Sequence, residues 1–197
     1  MDKWDKSYQI CKTGWKQGMP ETACGGGARK EKATYLIQWL SDFIKANDIQ
    51  SIADIGCGDF NWMSEVAFGD AQYIGYDWVF KRDMNSLMMA DPRLSFIECN
   101  AALWPLFPAD LMICRSVMIH LNSEEAKLLL DNMLRSKPKY LLITSYDIPS
   151  NYGRNVVNYA PLNIELPPFG IKDPIQRVYS DPENKTNKYL NLYHLNV

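Results

Sequence analysis

The stretch Ser51-Ile-Ala-Asp54-Ile-Gly56-Cys-Gly58-Asp59-Phe-Asn61-Trp62 holds the residues best suited to chemistry: an apolar strand that runs into a turn carrying two spaced glycines. In α/β sheets, nucleotides bind where strands end at their carboxyl termini. Glycines serve there because the backbone bends sharply and a ligand must approach the main chain without meeting a Cβ. Asp77 closes the next apolar run, Gln72 to Tyr76, and is placed to accept hydrogen bonds from both hydroxyls of a ribose. Asp54 joins the set because an acid at the end of an apolar strand is costly unless it has a partner. Gly56 and Gly58 alone would only end a strand; together with a distal acid they point to a nucleoside.

The third position of the turn separates two kinds of nucleoside. A dinucleotide site needs glycine there, so that the following helix packs close and its amino end meets a pyrophosphate. Here the residue is Asn61, and Asp59 puts a carboxylate where phosphates would lie. S-adenosylmethionine has no phosphate and carries a sulfonium and an amino group, so Asp54 and Asp59 are compatible with it. The charge pattern therefore favours this cofactor over a nicotinamide dinucleotide.

Further candidates lie on the neighbouring runs. Arg115 ends the apolar run Asp110 to Cys114, where it can meet the cofactor carboxylate, meet an acidic acceptor, or pair structurally with Asp54 or Asp59. His120 lies just beyond and is either a general base or a satisfied structural group. Trp78 either lines an adenine pocket or packs, while Trp62 reads as core. Leu166-Pro-Pro-Phe169 is like the proline loop of amino-methylating DNA enzymes, but it follows the fifth strand rather than the fourth. Residues 151 to 173 read instead as a substrate-facing cover, with Asn158, Tyr159, Asn163 and Phe169 as contacts.

The elements that must position these groups alternate in type. Strands are expected at Ser51 to Ile55, Gln72 to Tyr76, Leu94 to Glu98, Asp110 to Cys114 and Tyr140 to Tyr146, all parallel. An amphipathic helix is expected from Ala28 to Asn47 on the spacing of Ala33, Leu36, Ile37, Leu40, Phe43 and Ile44, and a short helix after the glycine turn. Another begins at Asn122, with Glu125 completing a capping box, and is stopped by Pro138. Ile175 to Tyr179 and Tyr189 to Leu195, joined by the polar turn Asp181 to Asn184, read as an antiparallel hairpin on the sheet edge. This is an α/β, Rossmann-like, doubly wound and mostly parallel sheet with a C-terminal antiparallel hairpin, in three αβα layers. Residues 1–197 are expected to form a single domain: a lid-like irregular segment (1–27), a cofactor-binding core (28–146), and a substrate-facing loop with the terminal hairpin (147–197).

Composition narrows the partners. With 197 residues and a formal net charge of -2, the chain has no global attraction for a phosphate backbone, so nucleic acid is not the expected partner. Five cysteines without a C-x-x-C pair, and two distant histidines, suggest reduced buried thiols and no metal. No run approaches the length of a membrane span and no signal-like segment opens the chain, so a cytoplasmic protein is expected.

On these residues the sequence resembles the class I S-adenosylmethionine-dependent methyltransferases. Asp54-x-Gly56-x-Gly58 is similar to the first motif of that family and Asp77 to its ribose-binding acid. The segment Glu98-Cys99-Asn100-Ala101 corresponds to the place where the adenine ring is held, although Asn100 departs from the acid often found there. Asp110 to Leu121 resembles the fourth-strand segment, which ends beside the methionine moiety. The D-F-N-W, C-R-S-V-M-I-H-L and P-L-N-I-E-L-P-P-F tracts also resemble a small bacterial or phage-type subgroup. The resemblance implies methyl transfer from S-adenosylmethionine, leaving S-adenosylhomocysteine, with Asp54, Gly56, Gly58, Asp59, Asp77, Trp78, Asn100, Ala101 and Arg115 at the cofactor and Arg115 and His120 near the chemistry. A small molecule or a protein side chain is the expected acceptor. A nicotinamide-dependent oxidoreductase and a non-catalytic cofactor-binding domain are the alternatives.

Overall fold

The computed structural model describes residues 21–80, 82–154, 156, 159–179 and 187–195. Among these residues, seven strands form one sheet: β1 (Ser51–Ile55), β2 (Gln72–Asp77), β3 (Leu94–Glu98), β4 (Leu111–Cys114), β5 (Tyr140–Tyr146), β6 (Gln176–Val178) and β7 (Lys188–His194). Their order is β3-β2-β1-β4-β5-β7-β6. The first five run parallel, and β7 inserts antiparallel between β5 and β6. The expected doubly wound sheet with an antiparallel addition is what forms, and the chain order reverses between β1 and β4. That reversal is the topological switch point at which sheets of this kind bind ligands, at the carboxyl ends of the strands.

Among the described residues, three α-helices cover the sheet: α1 (Thr34–Ala46), α2 (Met84–Ala90) and α3 (Ser123–Arg135). Leu36, Leu40 and Ile44 of α1, with Met84 of α2, enter one apolar cluster with Ile52, Tyr73, Leu111 and Leu142. Ala126, Leu129, Leu130 and Met133 of α3 enter another with Ala53, Ile55, Met112 and Leu141. Alternate residues of β1 thus serve opposite faces, the period-two pattern of a sheet covered on both sides. Burial of each large aliphatic side chain contributes on the order of 1.5–3 kcal/mol.

Helix ends follow local chemistry. At α3, the Asn122 side chain accepts from the Glu125 amide at 2.9 Å while Glu125 accepts from the Asn122 amide at 2.9 Å, so the expected capping box is present. The helix stops at Lys137, whose φ is +55° and which precedes Pro138. Two expectations need correction. The first helix does not begin at Ala28: two 3-10 turns, Gly26–Ala28 and Lys30–Lys32, come first, and no side chain caps the entrance. The glycine turn is followed by a 3-10 turn, Met63–Glu65, rather than an α-helix: the backbone becomes extended at Val66, and Phe60, at φ +58°, stands just before the turn. Its ring packs edge-on to Tyr73 and Phe96, with centroids 5.0 and 5.4 Å away.

Candidate functional site

Two features fix the turn after β1. Gly56 and Gly58 both have left-handed backbones, at φ +75° and +64°. A Cβ on Gly56 would stand 2.2 Å from Val117 Cγ2, and one on Gly58 would stand 2.7 Å from Cys24 Sγ. Glycine is therefore demanded by conformation and by two close neighbours: the loop after β4 and the amino-terminal segment. The Gly58 amide donates to Asp77 Oδ2 at 2.8 Å. The glycine turn and the acid that ends β2 are brought together.

Asp54 is 3 % exposed and accepts from the Tyr73 hydroxyl at 2.8 Å. Burial raises its carboxyl to about 7, against that hydrogen bond and with Asp77 adding repulsion. Tyr73 is the partner a buried acid requires, and the sequence signal for it was only a tyrosine in an apolar strand. Asp59 is engaged differently. Its Oδ2 accepts from Thr22 Oγ1 at 2.8 Å and the Ala23 amide at 2.7 Å. Asn61 donates to Glu21 Oε1 at 2.8 Å and to the Ala28 carbonyl at 3.0 Å. The two turn residues that separate this loop from a dinucleotide site thus fasten residues 21–28 across it; residues 1–20 lie outside the described residues.

Around the strand ends, Trp78 lies half-buried after Asp77, and the Cys99 amide donates to the Asp77 carbonyl at 2.8 Å. Asn100 closes a local turn by accepting from the Ala102 amide at 3.0 Å. Ala101 is half-buried, and its carbonyl accepts from Asn132 Nδ2 at 2.8 Å, which also reaches the Trp104 carbonyl at 2.7 Å. Asn132 is 5 % exposed on α3 and holds the loop after β3. Only a polar residue on an otherwise apolar helix face marked it in the sequence.

Arg115 follows β4. Its Nη2 donates to the Gly27 carbonyl at 2.8 Å, and the guanidinium lies 4.9 Å from the Trp62 ring centroid. It forms no ion pair with Asp54 or Asp59 among the described residues. Its Nε is buried without a hydrogen-bond partner. Burial lowers the guanidinium to about 10, opposed by the charge of Asp54. Trp62 is 6 % exposed and joins the core, as its sequence context suggested.

Ser116 comes next at φ +62° and its amide donates to Thr144 Oγ1 at 2.8 Å. Its hydroxyl accepts from Lys188 Nζ at 2.8 Å. Burial, then repulsion from Arg115, lowers the Lys188 ammonium to about 8. The sequence reading started the last strand at Tyr189 and so missed Lys188. An antiparallel strand begins where its parallel neighbours end, and that rule could have found it.

Other candidates fall elsewhere. His120 is exposed on the 3-10 turn Met118–His120. In the loop of residues 151–173, Phe169 is buried in the core, and Asn163 takes the Asn151 side chain on its amide at 2.8 Å while donating to the Ile148 carbonyl at 3.2 Å. Both serve the loop's own packing, not the contacts expected of them. Tyr159 is 59 % exposed, and Asn158 lies outside the described residues. Arg154 ties the same loop to the turn after β4, donating to the carbonyls of Met118, Leu121, Ala160 and Pro161 at 3.1 to 3.3 Å. No helix among the described residues is long and apolar enough to cross a membrane.

No protein-family model matches the sequence, and comparison with curated proteins finds no relative. Solved structures do share its fold. A 1,6-didemethyltoxoflavin-N1-methyltransferase from Burkholderia thailandensis, with bound 1,6-didemethyltoxoflavin and S-adenosylhomocysteine, is 14% identical and covers 96% of this chain and 84% of its own, at a TM-score of 0.63. Magnesium protoporphyrin IX methyltransferase from Synechocystis PCC 6803, with bound SAM, is 14% identical, covering 98% and 95%, at 0.66. The small RNA methyltransferase HEN1 is 12% identical, covering 83% of this chain and 25% of its own, at 0.62. The chain shares its α/β architecture with these methyltransferases. The acceptors named for these neighbours differ so widely that the fold by itself selects none.

Proposed function

We propose that this chain binds S-adenosylmethionine at the crevice between β1 and β4 and is a methyltransferase. The observation that carries the reading is the 2.8 Å bond between Gly58 N and Asp77 Oδ2, which sets the glycine turn beside the carboxylate we assign to the ribose. The donor set suits the cofactor. Asp77 offers acceptors for a diol, Asp59 disfavours a phosphate, and the Arg115 Nε has an unmet donor beside Trp62. Neighbours crystallised with the cofactor or its product share this fold.

In this reading Asp77 binds the ribose hydroxyls, while Trp78, Asn100 and Ala101 flank the adenine. Gly56 and Gly58 let the main chain approach the nucleoside, and Asp54 supports the turn through Tyr73. Asp59 holds residues 21–28 as part of a lid over the strand ends. Residues 147–173 form the acceptor side. Bound there, the cofactor supplies an activated methyl on a sulfonium, so the protein contributes chiefly alignment, which is worth on the order of 7–11 kcal/mol. The acceptor is a small molecule or a protein side chain, and the compartment is the cytoplasm. A crystal structure with adenosylhomocysteine is the test. The reading requires the ribose hydroxyls on Asp77 and the sulfur near Arg115; a ligand elsewhere ends it.

A further inference from the structure

The sheet edge opposite the proposed cofactor site carries an open cavity of about 570 Å³, where the amino ends of β1, β4 and β5 meet the end of β7. Ser51, Asp110, Lys137, Lys139, His194 and Leu195 contribute to its wall. Lys137 and Lys139 flank Pro138 between α3 and β5, and His194 is paired with Tyr140 in the β5–β7 ladder. The Tyr140 ring gathers two of these groups. His194 stacks on it with centroids 4.8 Å apart, and Lys139 Nζ lies 5.2 Å from its centroid. Backbone bonds hold the frame: the Lys137 amide donates to the Leu134 carbonyl at 3.1 Å, the Lys139 amide to the Ala109 carbonyl at 3.3 Å, and the Leu195 amide to the Lys139 carbonyl at 2.9 Å. A frame fixed in advance lowers the ordering cost of binding.

The charges in this wall are unbalanced. Its one acid, Asp110, engages Oδ2 with the Gln50 amide, the Ser51 amide and the Ser51 hydroxyl at 2.9 to 3.0 Å. No ion pair joins Lys137 or Lys139 to a carboxylate among the described residues. Two ammonium groups thus line one cavity of a chain whose formal net charge is -2, and a bound oxyanion relieves their repulsion.

We infer that this cavity binds a small phosphate-bearing molecule. Lysines serve phosphate as point charges, the His194 imidazole adds a donor, and the volume falls within the range of small-ligand pockets. The inference goes beyond the methyltransferase reading and does not depend on it. β1 has five residues and β4 four, which at ~3.3 Å per residue puts the cavity roughly 15 Å from the glycine turn and Arg115. Its occupant is therefore not the methyl acceptor.

The test titrates the full 15N-labelled chain with inorganic phosphate, and separately with pyrophosphate, at an ionic strength held constant with sodium chloride. The Lys139, His194 and Leu195 amides should shift together and saturate, with pyrophosphate the tighter ligand. Lys137→Gln/Lys139→Gln should weaken phosphate by about tenfold, and Lys137→Arg/Lys139→Arg should retain most of the affinity. Lys32→Gln/Lys45→Gln removes the same charge at exposed positions elsewhere and should leave binding within about twofold of wild type. Shifts that never saturate, that spread over the surface, that appear only at Gly58 and Arg115, or that weaken equally in both glutamine pairs overturn the inference. Thermal melting establishes that each variant is folded. Should the Lys137→Gln/Lys139→Gln chain fail to fold, Lys137→Gln alone is compared with Lys45→Gln, and equal weakening by the two overturns the inference.

Discussion

The Gly58 amide donates to Asp77 Oδ2 at 2.8 Å, so the turn after β1 and the tip of β2 are fastened to each other. A second bond, from the Val79 amide to Oδ1 at 3.4 Å, holds the same carboxylate from the other side. The acid is oriented in advance, which reduces the ordering cost of binding. Asp77→Ala should therefore lower stability by about 1–2 kcal/mol through loss of the Gly58 acceptor. Asp77→Asn keeps an acceptor oxygen and should melt close to wild type; urea titration of the two variants checks the difference.

Gly56→Ala meets both a φ of +75° and the Val117 side chain, so it should cost about 2–4 kcal/mol from strain and overpacking together. Trimming the neighbour separates these causes. In Gly56→Ala/Val117→Ala the steric part is relieved and the backbone part stays, so the double variant should be more stable than the sum of the single effects. Strict additivity in denaturant melts would show that Val117 is not the obstacle.

Asp54 ionises near 7 in the folded chain against an ordinary value of 3.8, because burial outweighs the bond from Tyr73. A raised carboxyl favours the folded state only while it is protonated. The contribution is present below the unfolded value and is lost as pH rises through 7, amounting to about 2–4 kcal/mol between about pH 4 and pH 8. Asp54→Asn cannot ionise and should gain on wild type by that margin over the same interval, measured as unfolding free energy against pH. A parallel course for the two proteins would mean that Asp54 stays ionised in the core.

Asn132 reaches from α3 to the carbonyls of Ala101 and Trp104. Asn132→Leu leaves two carbonyls without their donor and should cost about 1–3 kcal/mol. Because that loop flanks the proposed adenine position, the variant should also weaken adenosylhomocysteine more than it weakens a ligand lacking the base. Hydrogen exchange at the Leu103 and Trp104 amides, which donate to the Asn100 carbonyl, should rise with it.

Patterned features were legible in the sequence. The spacing of Leu36, Leu40 and Ile44 located α1, Asn122 and Glu125 located the start of α3, and short apolar runs located the strands to within a residue or two. These follow from local periodicity and capping, which neighbours in the chain determine. Asp54 was legible as an acid beside a glycine turn, and Asp77 as the acid that closes the next apolar run.

What long-range contact decides was not. The bonds from Asp59 and Asn61 to residues 21–28 turn a departure from the dinucleotide pattern into a docking point for the amino-terminal segment, and nothing near position 59 announces it. Phe60 packs its ring into an aromatic cluster with residues of β2 and β3, a contact between residues distant in the chain. Lys188 became visible only once β7 was seen to run antiparallel beside β5.

The central claim is that the turn at Gly56 and Gly58, together with Asp77, holds the nucleoside of S-adenosylmethionine. Isothermal calorimetry with adenosylhomocysteine on wild type, Asp77→Asn and Asp77→Ala tests it most directly. The account predicts a one-to-one heat for wild type, with affinity falling at least about tenfold in Asp77→Ala and by a smaller factor in Asp77→Asn. Identical binding curves for folded wild type and Asp77→Ala, or no heat from wild type at millimolar ligand, would contradict it.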